Sequence, residues 1–152
     1  ARIYQVSCHV ETAFLDPGFA FDASRGQYYS TRIVARLAEM TRDGETLLGV
    51  TECDLFVPVL TYIFGEAQLG GRAGLVSLHR LREEFYGLPP NPPMLLDRLV
   101  KEAVHELGHT FGLRHCSDWN CAMASTHAVE KLDVKSPEYC QSCRRAAGLP
   151  AG

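Results

Sequence analysis

Apolar and polar positions fall into a few periodic stretches separated by breaks rich in glycine and proline. In residues 28–40, Ile33, Val34, Leu37 and Met40 recur at helical spacing above Arg32, Arg36 and Glu39, which predicts a first helix ended near Asp43 and Gly44. Residues 2–10 alternate through Ile3 and Gln5, then Val6, Cys8 and Val10, the pattern of a first strand. Residues 11–26 carry Pro17, Gly18 and Gly26 and read as a loop. Residues 47–59 are apolar and β-branched and read as a buried central strand, with Pro58 discouraging ladder bonds near its end. Two shorter strands, 62–67 and 73–81, flank a turn at Gly70 and Gly71. Pro89, Pro90, Pro92 and Pro93 then fix φ and remove donors, while Asn91 among them is placed to cap a new helix with proline at its first position. That helix is expected to bury Leu95, Leu96, Leu99, Val100, Ala103, Val104 and Leu107, with Arg98 and Glu102, about two turns and one turn before His105, as solvated charges or, in the second reading, as supporting partners of the histidines. Further on, Ser136 and Pro137 predict the start of a short helix running through Arg145.

Strands alternating with helices indicate an α/β chain. With 152 residues, one core can form, and no linker divides the sequence. The reading is a single domain, 1–152, with an N-terminal lobe over 1–112 and a small C-terminal lobe over 113–152. The C-terminal lobe has little apolar sequence of its own and is expected to draw its stability largely from metal.

The last turn of the second helix and the residues after it carry the chemistry. His105, Glu106, His109, Gly112 and His115 stand at the spacing a metal ion requires. Residues four apart share a helical face, so His105 and His109 can present two imidazoles to one ion about 2.0–2.1 Å away. Glu106, one position on, is placed to take a proton from water as a general base. Gly112 supplies the positive φ with which a helix stops and reverses, and the returning chain brings in His115. Three neutral imidazoles leave a fourth position open, the layout of a catalytic zinc.

Four cysteines follow: Cys116, Cys121, and the CxxC pair Cys140 and Cys143. Two such knuckles suit a tetrahedral structural zinc; the competing reading is two disulfides. The two sites share one peptide, because His115 and Cys116 are adjacent. A four-cysteine zinc would thereby fix the third catalytic ligand.

The run HELGHTFGLRHC, followed by Cys121, Met123 and the CxxC of Cys140 and Cys143, resembles the archaemetzincin family of metallopeptidases. The upstream segments LGVTECDLFVP, YIFGEA and GLVSLHRL extend the likeness over most of the chain. The resemblance implies a metzincin-like zincin fold, α/β (α+β), in which a twisted mixed sheet and an active-site helix are joined to a C-terminal lobe stapled by the four-cysteine zinc. It further implies that Met123 belongs to a Met-turn beneath the zinc ligands. Sixteen residues separate Met123 from Cys140, a spacer that departs by one from the family's pattern.

The expected function is zinc-dependent peptide-bond hydrolysis by metal-activated water, with Glu106 as base, aminopeptidase-like in one version. Two Zn2+ are expected, one catalytic and one structural. Rivals are a weakly active or inactive two-zinc protein that binds peptides as a scaffold, and a hydrolase of non-peptide amides. The substrate is expected to be a peptide or protein, with residues 62–67 as the edge strand that receives it. A net charge of −3 gives no electrostatic footprint for nucleic acid, and no run reaches the ~20 apolar residues of a membrane span. Without a visible secretory signal, a reducing cytoplasm is the expected location and Cys8 and Cys53 are expected to be small core thiols. A monomer is the favoured state. No oxyanion-stabilising residue is identified: His79 and His127 read as surface or core residues.

Overall fold

The structure, a computed structural model, describes residues 4–12 and 14–150. After a short 3-10 turn at Pro17–Ala20, the chain forms β1 (Phe21–Asp22) and β2 (Gln27–Tyr29), then α1 (Ser30–Met40). Next come β3 (Leu47–Thr51), β4 (Leu55–Phe56), β5 (Gly65–Ala67) and β6 (Ala73–Ser77). Three helices follow: α2 (Pro92–Thr110), α3 (Val129–Val134) and α4 (Gln141–Ala146).

Two three-stranded sheets result, ordered β1-β2-β4 and β3-β6-β5, each mixing one parallel with one antiparallel pair. The strand β6 is central in the second sheet and buried along its whole length. Residues 47–59 are therefore not one central strand. They split at Glu52–Asp54 into strands of different sheets, with β3 at an edge. The break has a physical cause, since Asp54 is turned into a hydrogen-bonded pair with Arg80 at 2.7 and 2.8 Å and accepts from the Gln27 amide at 3.0 Å. A residue so engaged leaves the strand path.

Three apolar clusters hold the layers together. Ile33, Val34 and Leu37 of α1 pack on Leu55, Ala73 and Leu75. Phe64, Val76 and Leu81 meet Val129 and Leu132 of α3. Tyr4, Val104 and Leu113 enclose Cys121, Ala122, Met123 and Tyr139. The last two clusters draw on both ends of α2 and on the C-terminal segment, so that segment contributes apolar anchors of its own.

Other expectations are corrected. Of the predicted first strand, residues 2 and 3 lie outside the described residues, and 4–10 form no strand: Val6, Cys8 and Val10 are exposed. Alternation alone does not make a strand when no partner edge is present. Cys8 is consequently no core thiol, whereas Cys53 is half-buried beside the α1 cluster. On α2, Leu96 and Val100 face solvent at 61% and 41% exposure, while Arg98 and Glu102 are buried. The face read as solvated is covered by α3 and by the short 3-10 turn Glu83–Tyr86: Arg98 donates to Asp133 at 2.7 and 2.8 Å and to Glu83 at 2.6 Å. The C-terminal helix begins at Gln141, five residues later than Ser136, with Cys140 as its cap. No helix among the described residues is long and apolar enough to cross a membrane.

Candidate metal centre and cleft

Local chemistry sets both ends of α2. Asn91 caps its start by accepting from the Met94 N–H at 3.2 Å, with proline in the first turn. At its end Gly112 takes φ +84°. The Gly112 N–H donates to His109 O at 2.9 Å and the Leu113 N–H to Gly108 O at 3.0 Å, the paired closure that needs a left-handed residue. The chain thus doubles back, burying Leu113 and delivering His115 to the helix's last turn.

The three histidines converge, with one ligand nitrogen of each within 4.8 Å of the others. Nε2 of His105 and Nε2 of His109 are 3.2 Å apart. Two nitrogens bound tetrahedrally to zinc at about 2.0–2.1 Å stand about 3.3–3.4 Å apart, so the spacing fits the ion. Both Nδ1 atoms are already used, His105 on Ala122 O at 2.8 Å and His109 on Leu113 O at 2.7 Å. A ring that donates from Nδ1 to a carbonyl holds the neutral tautomer whose Nε2 lone pair is available. Burial, reinforced by the nearby Lys135 cation, pushes the pKa of His105 down to about 3. Burial also lowers His109 and His115. All three therefore favour the form that can ligate a metal.

Glu106 is buried beside the histidines in a cleft of about 220 Å³. Burial, then the carboxylates of Glu102 and Glu66, holds its carboxyl well above the ordinary range. Its room comes from β5, because a Cβ on Gly65 would stand 2.7 Å from Glu106 Oε1. Gly65, Glu66 and Ala67 form one wall of the cleft. Glu66 is tied to the start of α1, accepting from Thr31 Oγ1 at 2.8 Å and from Ser30 Oγ. Met123, with no exposed surface, lies against Gly108, whose missing side chain makes room for its sulfur.

The four cysteines form the second cluster, again with their ligand atoms within 4.8 Å of one another. Cys116 Sγ and Cys140 Sγ are 3.8 Å apart and all four thiols are free. A disulfide needs about 2.05 Å, whereas zinc–sulfur bonds of about 2.3 Å in a tetrahedron give about 3.8 Å. The geometry matches the ion and not the cross-link. Burial raises the pKa of the Cys121 thiol, and its Sγ accepts from the Met123 N–H at 3.4 Å and the Cys140 N–H at 3.3 Å, contacts that work against that rise.

Several groups at the site escaped the sequence reading. Ser125, Thr126 and His127 also line the cleft, and Lys135 is buried near it, 3.6 Å from the lining residue Glu102. None has a spacing signal, because loop geometry brings each of them in. His79 stays outside the cleft, with Nδ1 3.2 Å from Glu52 O.

A helix bearing HExxH, closed by a glycine turn and a third histidine on a mixed-sheet scaffold, defines a metal-dependent hydrolase of the zincin type. The pattern of Peptidase family M54 matches residues 12–147, and the chain belongs to that family. It is 45% identical over 127 residues to the archaemetzincin of Methanocaldococcus jannaschii, covering 84% of this chain and 69% of that one. With the archaemetzincin of Pyrococcus furiosus the identity is 44% over 128 residues, covering 83% and 67%. The crystal structure of archaemetzincin from Methanopyrus kandleri matches with a TM-score of 0.79 at 40% identity, over 87% of this chain and 70% of that one. A zinc-dependent peptidase from Methanocorpusculum labreanum matches with a TM-score of 0.80 at 33% identity, over 84% and 78%. The fold is accordingly the archaemetzincin fold, and the protein is a zinc metallopeptidase.

Proposed function

We propose that this chain hydrolyses peptide bonds at a zinc ion held by His105, His109 and His115, with Glu106 as general base and a second, structural zinc held by Cys116, Cys121, Cys140 and Cys143. The observation that carries the reading is the 3.2 Å approach of two Nε2 atoms whose Nδ1 partners are already engaged. Zinc bound there supplies a Lewis acid that polarises a carbonyl and lowers the pKa of water. Glu106 takes the proton from the attacking water and later hands it to the departing amine. Its burial makes it a strong base once ionised. The extended substrate adds along β5, which among the described residues pairs with β6 alone and lines the cleft.

Among the described lining residues, Thr126 donates to Glu102 and Tyr62 to the His127 carbonyl. The remaining donors, Ser125 and His127, are paired with each other at 3.3 Å, and turning one of them into the cleft supplies the side-chain donor to the developing oxyanion. Metal content and a peptide-library digest test the whole reading, with two zinc per chain expected. Release of single N-terminal residues assigns an aminopeptidase and internal cuts an endopeptidase. No cleavage by zinc-loaded protein would instead leave the peptide-binding scaffold.

A further inference from the structure

Behind the histidines lies a charged pair that the metal does not use. Lys135 follows α3 and its side chain has no exposed surface, while Glu102, one turn before Glu106 on α2, is 5% exposed. Nζ stands 3.6 Å from Glu102 Oε1. It also donates to two carbonyls, Ala122 O at 3.1 Å and Ala124 O at 3.2 Å. The first of these is the oxygen that receives Nδ1 of His105 at 2.8 Å. Between the two gripped residues sits Met123, packed against Gly108. The gripped turn begins at Cys121, a member of the cysteine cluster.

Burying an ammonium group carries a penalty of several kcal/mol that a single long ion pair does not fully offset. An apolar side chain would fill the same volume with less penalty. What the ammonium adds is direction, since two donated hydrogen bonds fix both carbonyls of one turn. Ala122 O can orient the His105 ring only while it points at α2. The N–H groups of this turn point elsewhere, Ala122 N–H to Glu138 O and Ala124 N–H back to Cys121 O, so its hydrogen bond to α2 runs through Ala122 O while Met123 packs on Gly108.

We infer that Lys135, neutralised by Glu102, is a positioning residue for the active site: by gripping Ala122 and Ala124 it aims His105 Nε2 and seats Met123 beneath the histidines. The inference rests on the histidine triad being the catalytic zinc site. Supports of this kind change metal affinity by about 10–100-fold.

The test uses the whole chain and a double variant, Lys135→Met with Glu102→Gln, in which neither charge is left buried alone. Metal-free protein is titrated with cobalt(II). Thiolate-to-metal charge transfer reports the cysteine cluster, and the weaker visible d–d bands report the histidine site. Chelator competition then gives zinc affinity at each site. The double variant is expected to keep its helical circular dichroism and its cysteine-site affinity while losing about 10–100-fold at the histidine site. At saturating zinc, kcat is expected to fall with KM held. Unaltered histidine-site affinity in the double variant overturns the inference alone. Loss of both sites together with the helical signal also overturns it, by making the pair a general support of the fold. If the unaltered chain shows no cobalt at the histidines, the reading of the triad itself falls.

Discussion

Gly65 of β5 and Glu106 of α2 face each other with no room for a side chain between them: a Cβ at residue 65 would stand 2.7 Å from Oε1 and 2.7 Å from the Leu75 carbonyl oxygen. The backbone oxygen cannot swing aside, so Gly65→Ala must shift either β5 or the carboxyl group. A misplacement of about 1 Å at a reacting group can lower turnover by about 10²-fold. The expected result is a kcat loss of that order with zinc content unchanged, read from steady-state kinetics and metal analysis of one preparation.

Glu106→Gln keeps the shape of the side chain and removes the base. Zinc should stay bound while turnover falls by about 10²–10⁴-fold. Retained peptide hydrolysis in this variant would show the proton acceptor to be another group.

Cys116→Ser tests whether the two clusters are mechanically joined. Cys116 adjoins His115, and its N–H donates to Met123 O at 2.9 Å, so disorder in the cysteine cluster should reach the histidines by two routes. The expected outcome is weaker zinc at both sites, measured by chelator competition. Unchanged affinity at the histidine site would refute the coupling.

The lowered pKa values of the three histidines set a pH dependence for metal binding. Protons compete with zinc only when a ligand accepts them, and each of these rings resists protonation more than a free imidazole does. Zinc affinity at the histidine site should therefore stay level as pH falls from about 8 to about 6.5, the ordinary imidazole value, and weaken only below it. Affinity that already declines above pH 7 would contradict the sign of these shifts.

Arg98 provides a stability test away from the chemistry. It is 3% exposed and ion-paired to Glu83 and Asp133, so Arg98→Met would strand acceptors grouped around it. A loss of about 3–5 kcal/mol is expected, read from denaturant unfolding of zinc-loaded protein, with the triad's zinc affinity little changed.

Much of the site was legible because its spacing is local. His105 and His109 fall on one face by helical period, Gly112 closes the helix in the left-handed conformation, and the cysteine pairs bracket a cluster of free thiols. The surroundings were less legible. Leu96 and Val100 look like core residues and are exposed, while Arg98 and Glu102 look solvated and are buried. Hydrophobic periodicity names the apolar face of a helix, but it cannot say how many neighbours will cover the other faces.

The sequence by itself determined which histidines stand at metal-binding spacing, the helix that carries two of them, and the cap and closure of that helix, because each depends on residues within a turn or two of one another. Only the tertiary structure decided that residues 47–59 divide between two sheets, that β6 is central and that Gly65 yields its space to Glu106. It also decided that Ala122 O is shared by His105 and Lys135. Those relationships join positions distant along the chain, and they are set by which surfaces pack together, a balance of burial against desolvation that no local pattern contains.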